Sequence, residues 1–178
     1  MFIKTFIQLL VEIKMVWARA KLMIEDDLLS PLPIVKIKYS GKNPERFYKE
    51  IYNLLLVSFR VHEHSIQEKE FQWSKGEPEK FKIMWEVNKD LDKFSYYFID
   101  VKLNGEFSKA HGKAEIDVVG VLRTEYPQDT FWQRSLLYEI LRMFWHTVFY
   151  KSKRDEYLRN GRRLLSLFCD QVKALARV

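Results

Sequence analysis

The residues whose types could support chemistry are few, and their spacing does not predict a catalytic site. His62 and His64 form the close histidine pair of the sequence. In an extended segment they would face the same way and could both bind zinc, with His111 or His146 as a further ligand. Because no third ligand follows at a regular spacing, exposed histidines are the favoured interpretation, and neither a metal nor another cofactor is predicted. Cys169 has no histidine near it in the sequence and is interpreted as structural.

A second set of residues could line an apolar cavity. Asp100 and Lys102 lie two apart on an otherwise apolar strand pattern. If that face is covered, they need partners or line a cavity, because a buried unpaired charge is costly. A polar edge of the sheet explains them equally well, and aromatic residues at this spacing are more often core residues. The candidates for a ligand cavity are Trp85, Tyr96, Phe98, Asp100, Lys102, Trp132 and Trp145.

The positive charge is concentrated at the end of the chain. The formal net charge is +6, residues 1–141 hold 21 basic and 21 acidic residues, and residues 142–178 hold nine basic and three acidic ones. A solvated helix face is one interpretation. The other is a surface for nucleic acid or anionic lipid headgroups, since arginine suits phosphate and nearby tyrosines could stack on bases. The basic-surface candidates are Lys151, Lys153, Arg154, Arg159, Arg162 and Arg163.

The elements that must position these residues follow from hydrophobic periodicity. Runs of alternating apolar and polar residues between residues 80 and 126 predict a half-buried antiparallel sheet. Asn104-Gly105 is a predicted turn, Gly120 predicts a bulge or bend, and Asn160-Gly161 predicts a weak point in the last helix. Predicted strands cover residues 34–39, 64–73, 80–88, 94–103 and 113–126, and predicted helices cover 44–60 and the chain from Thr130, with a kink or connection at 151–154.

The first 33 residues are predicted to be an accessory segment, and residues 34–178 a single domain. Residues 1–23 predict an amphipathic helix, with Phe2, Phe6, Leu9, Ile13, Val16 and Ala20 on one stripe. The acidic residues 25–27 and two prolines then predict a linker. Charges interrupt the segment too often for a membrane span or a signal peptide. Three interpretations stay open: a helix packed on the domain or on a second copy as a homodimer, an interfacial membrane helix, or an extension preceding a start at Met15 or Met23.

Composition supports a folded interior. The chain has 178 residues, of which 47% are hydrophobic and 15% aromatic, enough for a packed core without disulfides. One cysteine cannot form an intramolecular disulfide, so a reducing cytoplasm is the expected location. We therefore predict an α+β fold: a curved antiparallel sheet of about five strands, with a short helix after the first strand, packed against a long C-terminal helix that begins near Thr130.

Two resemblances extend this prediction. GKAEIDVVGVLRTEYP (residues 112–127) followed by FWQRSLLYEILRMFWHTVFYKSKRDEY (131–157) resembles a family of uncharacterised archaeal proteins, which implies no activity. The order of elements resembles the helix-grip arrangement of the Bet v 1 and START type, although that superfamily usually has more strands and a second short helix. This likeness implies a cavity for an apolar small molecule or lipid between sheet and helix. The predicted function is a non-enzymatic binding module of that kind, with binding of nucleic acid or an anionic membrane surface through the basic helix as the alternative.

Overall fold

The computed structural model describes residues 21–41, 44–108 and 111–176. Most of the predicted N-terminal helix, residues 1–20, lies outside the described residues. Six strands form one curved antiparallel sheet. They are β1 (Lys21–Asp27), β2 (Ile34–Gly41), β3 (Ile66–Ser74), β4 (Glu79–Asp90), β5 (Ser95–Phe107) and β6 (Gly112–Pro127).

The strands follow a simple order. β3, β4, β5 and β6 are neighbours in sequence order, and β1 and β2 both pair with the other edge of β6. β2 pairs with residues 112–119 of β6, and β1 pairs with residues 121–127. Lys21 therefore lies opposite Pro127, at the end of the sheet where β6 leaves for the C-terminal helices.

The helices are α1 (Pro44–Phe59), α2 (Leu136–Trp145) and α3 (Lys151–Leu175). A π-helical turn, His146–Tyr150, joins α2 to α3, and short 3-10 turns cover Glu63–Ser65 and Trp132–Arg134. The prediction of an α+β fold with a long C-terminal helical segment is confirmed. α1 and α3 pack together over one face of the sheet, because each contributes apolar side chains at helical spacing to the same core. The fully buried core includes Ile51, Leu55, Ile83, Trp85, Ile99, Leu103, Ile116, Leu165 and Phe168.

Two glycines allow α3 to approach the sheet closely. A Cβ atom on Gly120 would lie 2.5 Å from Cδ2 of Leu165, and one on Gly161 would lie 2.7 Å from Cε1 of Tyr97. The prediction at Gly120 is a bulge or a bend. The pairing of β5 with β6 continues through Gly120 without a shift, so a bulge in this pair is wrong, and the bend stays a prediction. The predicted weak point at Asn160-Gly161 is also wrong, because α3 runs through it. Both glycines are explained by helix-to-sheet contact instead.

Other boundaries differ from the prediction for similar reasons. Residues 21–27, predicted as helix end and linker, form β1, because the free edge of β6 offers them a full register of partners. The sheet accordingly has six strands rather than five. Asn104-Gly105 lies inside β5 and not in a turn, since both residues pair with β4 and β6. The break in the C-terminal helix comes at residues 146–150 rather than at 151–154.

Candidate functional site

The most unusual surface of the described chain is α2, whose polar side faces the domain. Tyr138, Glu139, Arg142 and His146 are its partly protected residues, and their three- and four-residue spacing places them on one side of the helix. The opposite side carries large apolar side chains, each more than half exposed. We call these residues the outward face; they are Leu136, Leu137, Ile140, Leu141, Met143, Phe144, Val148 and Phe149.

Polar contacts to the end of β6 hold α2 with its polar side toward the domain and its apolar side toward solvent. The hydroxyl of Tyr126 lies 2.7 Å from Nδ1 of His146, and the side-chain amide of Gln128 donates to Glu139 at 2.7 Å. Arg142 forms an ion pair with Glu139 and lies over the Tyr126 ring. Because polar groups that leave water need partners, these contacts hold the polar side inward and leave the apolar side outward. No residue of α2 is buried by the part of the chain that the structure describes.

A buried polar cluster anchors the π-helical turn to the sheet. The Tyr150 hydroxyl lies 2.6 Å from Ser95 Oγ and donates to Asp92 at 3.0 Å. Ser95 Oγ lies 2.8 Å from Oγ1 of Thr124, which accepts a hydrogen bond from Arg154. This polar cluster locks the start of α3 onto β5 and β6, so it sets the direction from which α2 meets the domain.

Burial shifts the protonation of several groups in this region. For Asp92, burial favours the neutral form, but backbone N–H groups of residues 94 and 95, together with Lys153 and Tyr150, outweigh it and hold the pKa below its ordinary value. Burial raises the pKa of Tyr126 to about 12. Burial lowers the pKa of His146, and the nearby positive charges of Arg154 and Arg142 lower it further. At neutral pH the ring of His146 is therefore uncharged.

The candidates for the ligand cavity are divided among three places. Trp85 is fully buried between the sheet and α1, where Tyr48 packs against it. Tyr96, Phe98, Asp100 and Lys102 alternate with buried residues of β5 and therefore lie on the opposite face of the sheet. Trp132 and Trp145 lie beside and at the end of α2, and Trp145 stacks on Tyr150.

The open face of the sheet has its own polar pattern. Arg123 lies 3.5 Å above the ring of Phe98 and pairs with Glu25. Asp100 lies opposite Glu86, and burial followed by the charge of Glu86 raises the pKa of Asp100. Leu165, Phe168 and Val172 of α3 belong to the same buried core as the sheet, in the region where the apolar ligand was predicted. Ligand binding there stays a prediction.

The basic-surface candidates separate into exposed and buried groups. Lys151, Arg159, Arg162 and Arg163 are exposed on α3, and Lys153 is half-exposed beside Asp92. Arg154 does not belong to this surface, because it is buried and pairs with Asp26 and Thr124. Its charged neighbours in the sequence predict a surface cation, and for Arg154 this prediction is wrong.

The histidine pair and the cysteine show no added chemistry. The rings of His62 and His64 are exposed and stack with their centroids 5.4 Å apart. His146 forms a hydrogen bond with the Tyr126 hydroxyl. Among the described residues no group of three histidine, cysteine, aspartate or glutamate side chains could hold a metal ion. Cys169 is buried in the core, and burial raises the pKa of its thiol to about 11.

Sequence reasoning missed the outward face of α2 because it assigned the apolar stripe to the core. A second stripe of polar residues at the same helical spacing could have revealed this orientation; it consists of Glu139, Arg142 and His146. Such a stripe could equally face a polar end of the sheet. Lys93 was also missed. It lies over the ring of Phe94, which packs against Trp145 at the base of α2.

Comparisons with known proteins add no relative. The chain matches none of the protein-family models, and no curated protein is significantly similar to it. In the described part of the chain, every helix is too short or too polar to cross a membrane.

Proposed function

We propose that the protein binds anionic membrane surfaces by laying the outward face of α2 into the lipid interface. The observation that carries the proposal is the composition of that face: eight large apolar side chains, between 51% and 77% exposed, with no charged residue among them. A contiguous apolar surface of this extent on a folded domain marks an interaction site. A helix whose polar side is already bonded to its own domain can enter the interface without leaving polar groups unpaired.

Residues beside α2 support a lipid surface as the partner. Phe131 and Trp132 precede the helix and are exposed, and aromatic rings are favoured at the boundary between headgroups and acyl chains. Lys151 follows the π-helical turn, and Lys93 lies beside the ring that contacts Trp145. Cations at the edge of an apolar face fit phosphate-bearing headgroups.

The apolar contribution to membrane binding is expected to be larger than the electrostatic one. A buried apolar side chain contributes roughly 1.5–3 kcal/mol when it was fully exposed before, and each basic residue near an anionic surface contributes about 1 kcal/mol. The outward face has eight partly exposed side chains, so its contribution outweighs that of the few adjacent cations. Binding should therefore weaken as salt rises but not disappear.

The test is co-sedimentation of the full chain with phosphatidylcholine vesicles that contain phosphatidylglycerol. Ile140→Asp and Phe144→Asp should each lower the vesicle partition constant about tenfold or more, because a charge would enter the apolar layer. Val57→Asp and Leu167→Asp are the matched controls, since both replace exposed apolar side chains on other helices. These controls should bind as the unmodified protein does.

Two outcomes would overturn the proposal. One is equal binding by the α2 variants and the controls. The other is retention on single-stranded DNA that falls steeply with salt, depends on Arg159, Arg162 and Arg163, and is accompanied by no vesicle binding. That second result would identify the basic face of α3 as a nucleic-acid surface instead.

A further inference from the structure

The outward face of α2 has the area that a contact with a second copy of this chain requires. A large apolar side chain presents roughly 150–200 Å² when fully exposed, so its eight residues, each more than half exposed, present on the order of 800 Å². A stable contact between two proteins buries about 800 Å² on each partner. The face also exceeds the apolar patch of a typical monomer, roughly 300–600 Å². A surface of this size is expected to be covered in water.

The composition of the outward face suits contact with its own copy. In a two-fold symmetric interface, residues near the axis lie beside the same residues of the partner, so a charge there would meet a like charge. The outward face contains no charged residue. Thr147 is exposed beside it, and its hydroxyl already donates to the carbonyl oxygen of Met143 at 2.8 Å. Self-pairing therefore buries neither a charge nor an unpaired hydroxyl donor from this face.

Four residues of the outward face follow the spacing of two helices that pack along each other. Leu137, Leu141, Phe144 and Val148 are separated by four, three and four residues, and we call them the seam. This spacing is that of the two core positions of a coiled coil. The polar residues that contact the domain lie on the opposite side of the helix, so pairing along the seam leaves those contacts intact.

An antiparallel register gives every residue of the seam an apolar neighbour. With the two-fold axis between residues 142 and 143, Leu137 lies opposite the partner's Val148, and Leu141 lies opposite the partner's Phe144. A large side chain then meets a smaller one across the axis, as interdigitated packing requires.

The direction of the pair follows from charge. Two parallel helices would place the exposed Lys151 beside its own copy and align the two helix dipoles unfavourably. An antiparallel pair avoids both. Its two-fold symmetry also closes the interface, so no third copy can add to the same face.

We propose that two copies of this chain pair antiparallel through their outward faces in water, and that an anionic membrane competes with the second copy for the same face. The competition rests on the proposed function, whereas the pairing does not. Because both partners need the same side chains, the apparent vesicle affinity should fall as the protein concentration rises above the dissociation constant of the pair. That constant is expected to be micromolar or lower, the range found for interfaces of this area.

Light scattering on the full chain tests the pairing. As the protein concentration rises through the micromolar range, the mass should approach twice 21.5 kDa. Ile140→Asp and Phe144→Asp should each raise the dissociation constant at least about thirtyfold, because the new charge enters the interface twice. Val57→Asp and Leu167→Asp, on α1 and α3, are the controls and should pair as the unmodified protein does.

Two results of this experiment would overturn the proposal. One is a monomer mass at every concentration. The other is equal pairing by the α2 variants and the controls, with unchanged circular dichroism showing that all of them are folded.

Complementary charges test the antiparallel register. Leu141→Lys and Phe144→Asp should each pair poorly alone, because each places unpaired charges in the seam. Mixed in equal amounts, they should form a heterodimer by native mass spectrometry, since the new lysine lies opposite the new aspartate of the other copy. Leu141→Lys mixed with Leu137→Asp is the control, because these positions are not opposite each other. Rescue in neither mixture, or in both alike, contradicts the proposed register.

Vesicle binding separates this inference from the proposed function. If both hold, the partition constant onto excess phosphatidylglycerol vesicles falls as the protein concentration rises through the dissociation constant of the pair. If the chain pairs but does not bind vesicles, the pairing stands and the membrane function falls. If the chain binds vesicles and stays monomeric, the membrane function stands and the pairing falls. A partition constant that does not change while the dimer forms would overturn the competition for one face.

Discussion

The two parts of the C-terminal helical segment, α2 and α3, are both amphipathic, yet they face the domain with opposite sides. α3 buries an apolar stripe against the sheet that includes Leu165, Phe168 and Val172. It exposes Arg159, Arg162 and Arg163. α2 directs Glu139, Arg142 and His146 toward the domain and exposes its apolar side. Hydrophobic periodicity shows that a helix has two sides, but the partner surface decides which side turns inward.

The cause of the difference lies in the sheet beneath each helix. Below α3 the strands offer apolar residues such as Val118, Leu122 and Ile99. Below α2 the end of β6 offers the Tyr126 hydroxyl and the Gln128 amide, which need polar partners. The π-helical turn between the two helices adds a residue to the helical turn and so rotates one stripe relative to the other.

The largest expected effect comes from truncating one aromatic side chain in each helix. Phe168→Ala should lower the free energy of unfolding by about 3–5 kcal/mol, because the ring is fully buried and its removal leaves a cavity. Phe144→Ala should lower it by no more than about 1 kcal/mol, since the ring is 58% exposed in the described domain. Urea denaturation followed by circular dichroism measures both. Equal losses would show that α2 is packed as tightly as α3.

The second prediction concerns Asp92, which holds the junction between the two helices. Asp92→Ala should lower the free energy of unfolding by about 1–3 kcal/mol, because it leaves the Tyr150 hydroxyl and two backbone N–H groups without their acceptor. Asp90→Ala is the control on the same hairpin, where the side chain is exposed. Thermal unfolding compares the two variants.

The effect of Asp92 should also depend on pH. Its pKa in the folded protein lies below the ordinary value of 3.8, so the carboxylate stabilises the fold above that pH. This contribution is lost as the pH falls through the folded-state pKa. The difference between the unmodified protein and Asp92→Asn should therefore be full at neutral pH and shrink in acid. A difference that grows on acidification would contradict the hydrogen bonding at this carboxylate.

Much of the fold was predictable because its signals are local. Alternation identified β4 and β6 to within a residue or two, and the helix predicted over residues 44–60 agrees with α1 to within one residue. β1 was not predictable from its own residues, since its pairing depends on a strand about a hundred residues away. Asn104-Gly105 carried a strong turn signal, which was overridden by pairing on both sides of β5.

The candidate site was predictable only in part. The sequence predicts that Trp132 and Trp145 line a cavity or belong to the core, whereas both are exposed, beside α2 and at its end. The exposed arginines of α3 were recognised from charge, whereas Arg154 was not distinguished from them. Arg154 is buried where its guanidinium contacts Thr124 and Asp26, which lie far from it in the sequence. A local sequence pattern cannot predict contacts of this kind.

A smaller effect is expected at the closest contact between α3 and the sheet. In Gly161→Ala, the added methyl group would collide with the buried ring of Tyr97, and overpacking of this kind costs about 1–3 kcal/mol. Alanine regains about 1 kcal/mol of helix propensity, so a net loss of about 1 kcal/mol is expected. Asn160→Ala, one residue earlier and partly exposed, should be neutral or slightly stabilising. Chemical denaturation that shows a gain for Gly161→Ala would mean that Tyr97 can move.

The smallest expected effect is at His146, where α2 meets the sheet. Burial lowers its pKa below 6.5, as do the charges of Arg154 and Arg142, against the opposing charge of Asp26. The neutral ring therefore stabilises the folded state above pH about 6.5, and this contribution is lost as the pH falls through the lower folded-state pKa. In His146→Gln the glutamine keeps a polar partner for the Tyr126 hydroxyl but cannot titrate. The stability of this variant should therefore fall less between pH 7 and pH 5 than that of the unmodified protein. Thermal melts across that pH range measure the difference. A steeper loss of stability in His146→Gln than in the unmodified protein would show that protonation of His146 favours the fold. That result would contradict the lowered pKa of this side chain.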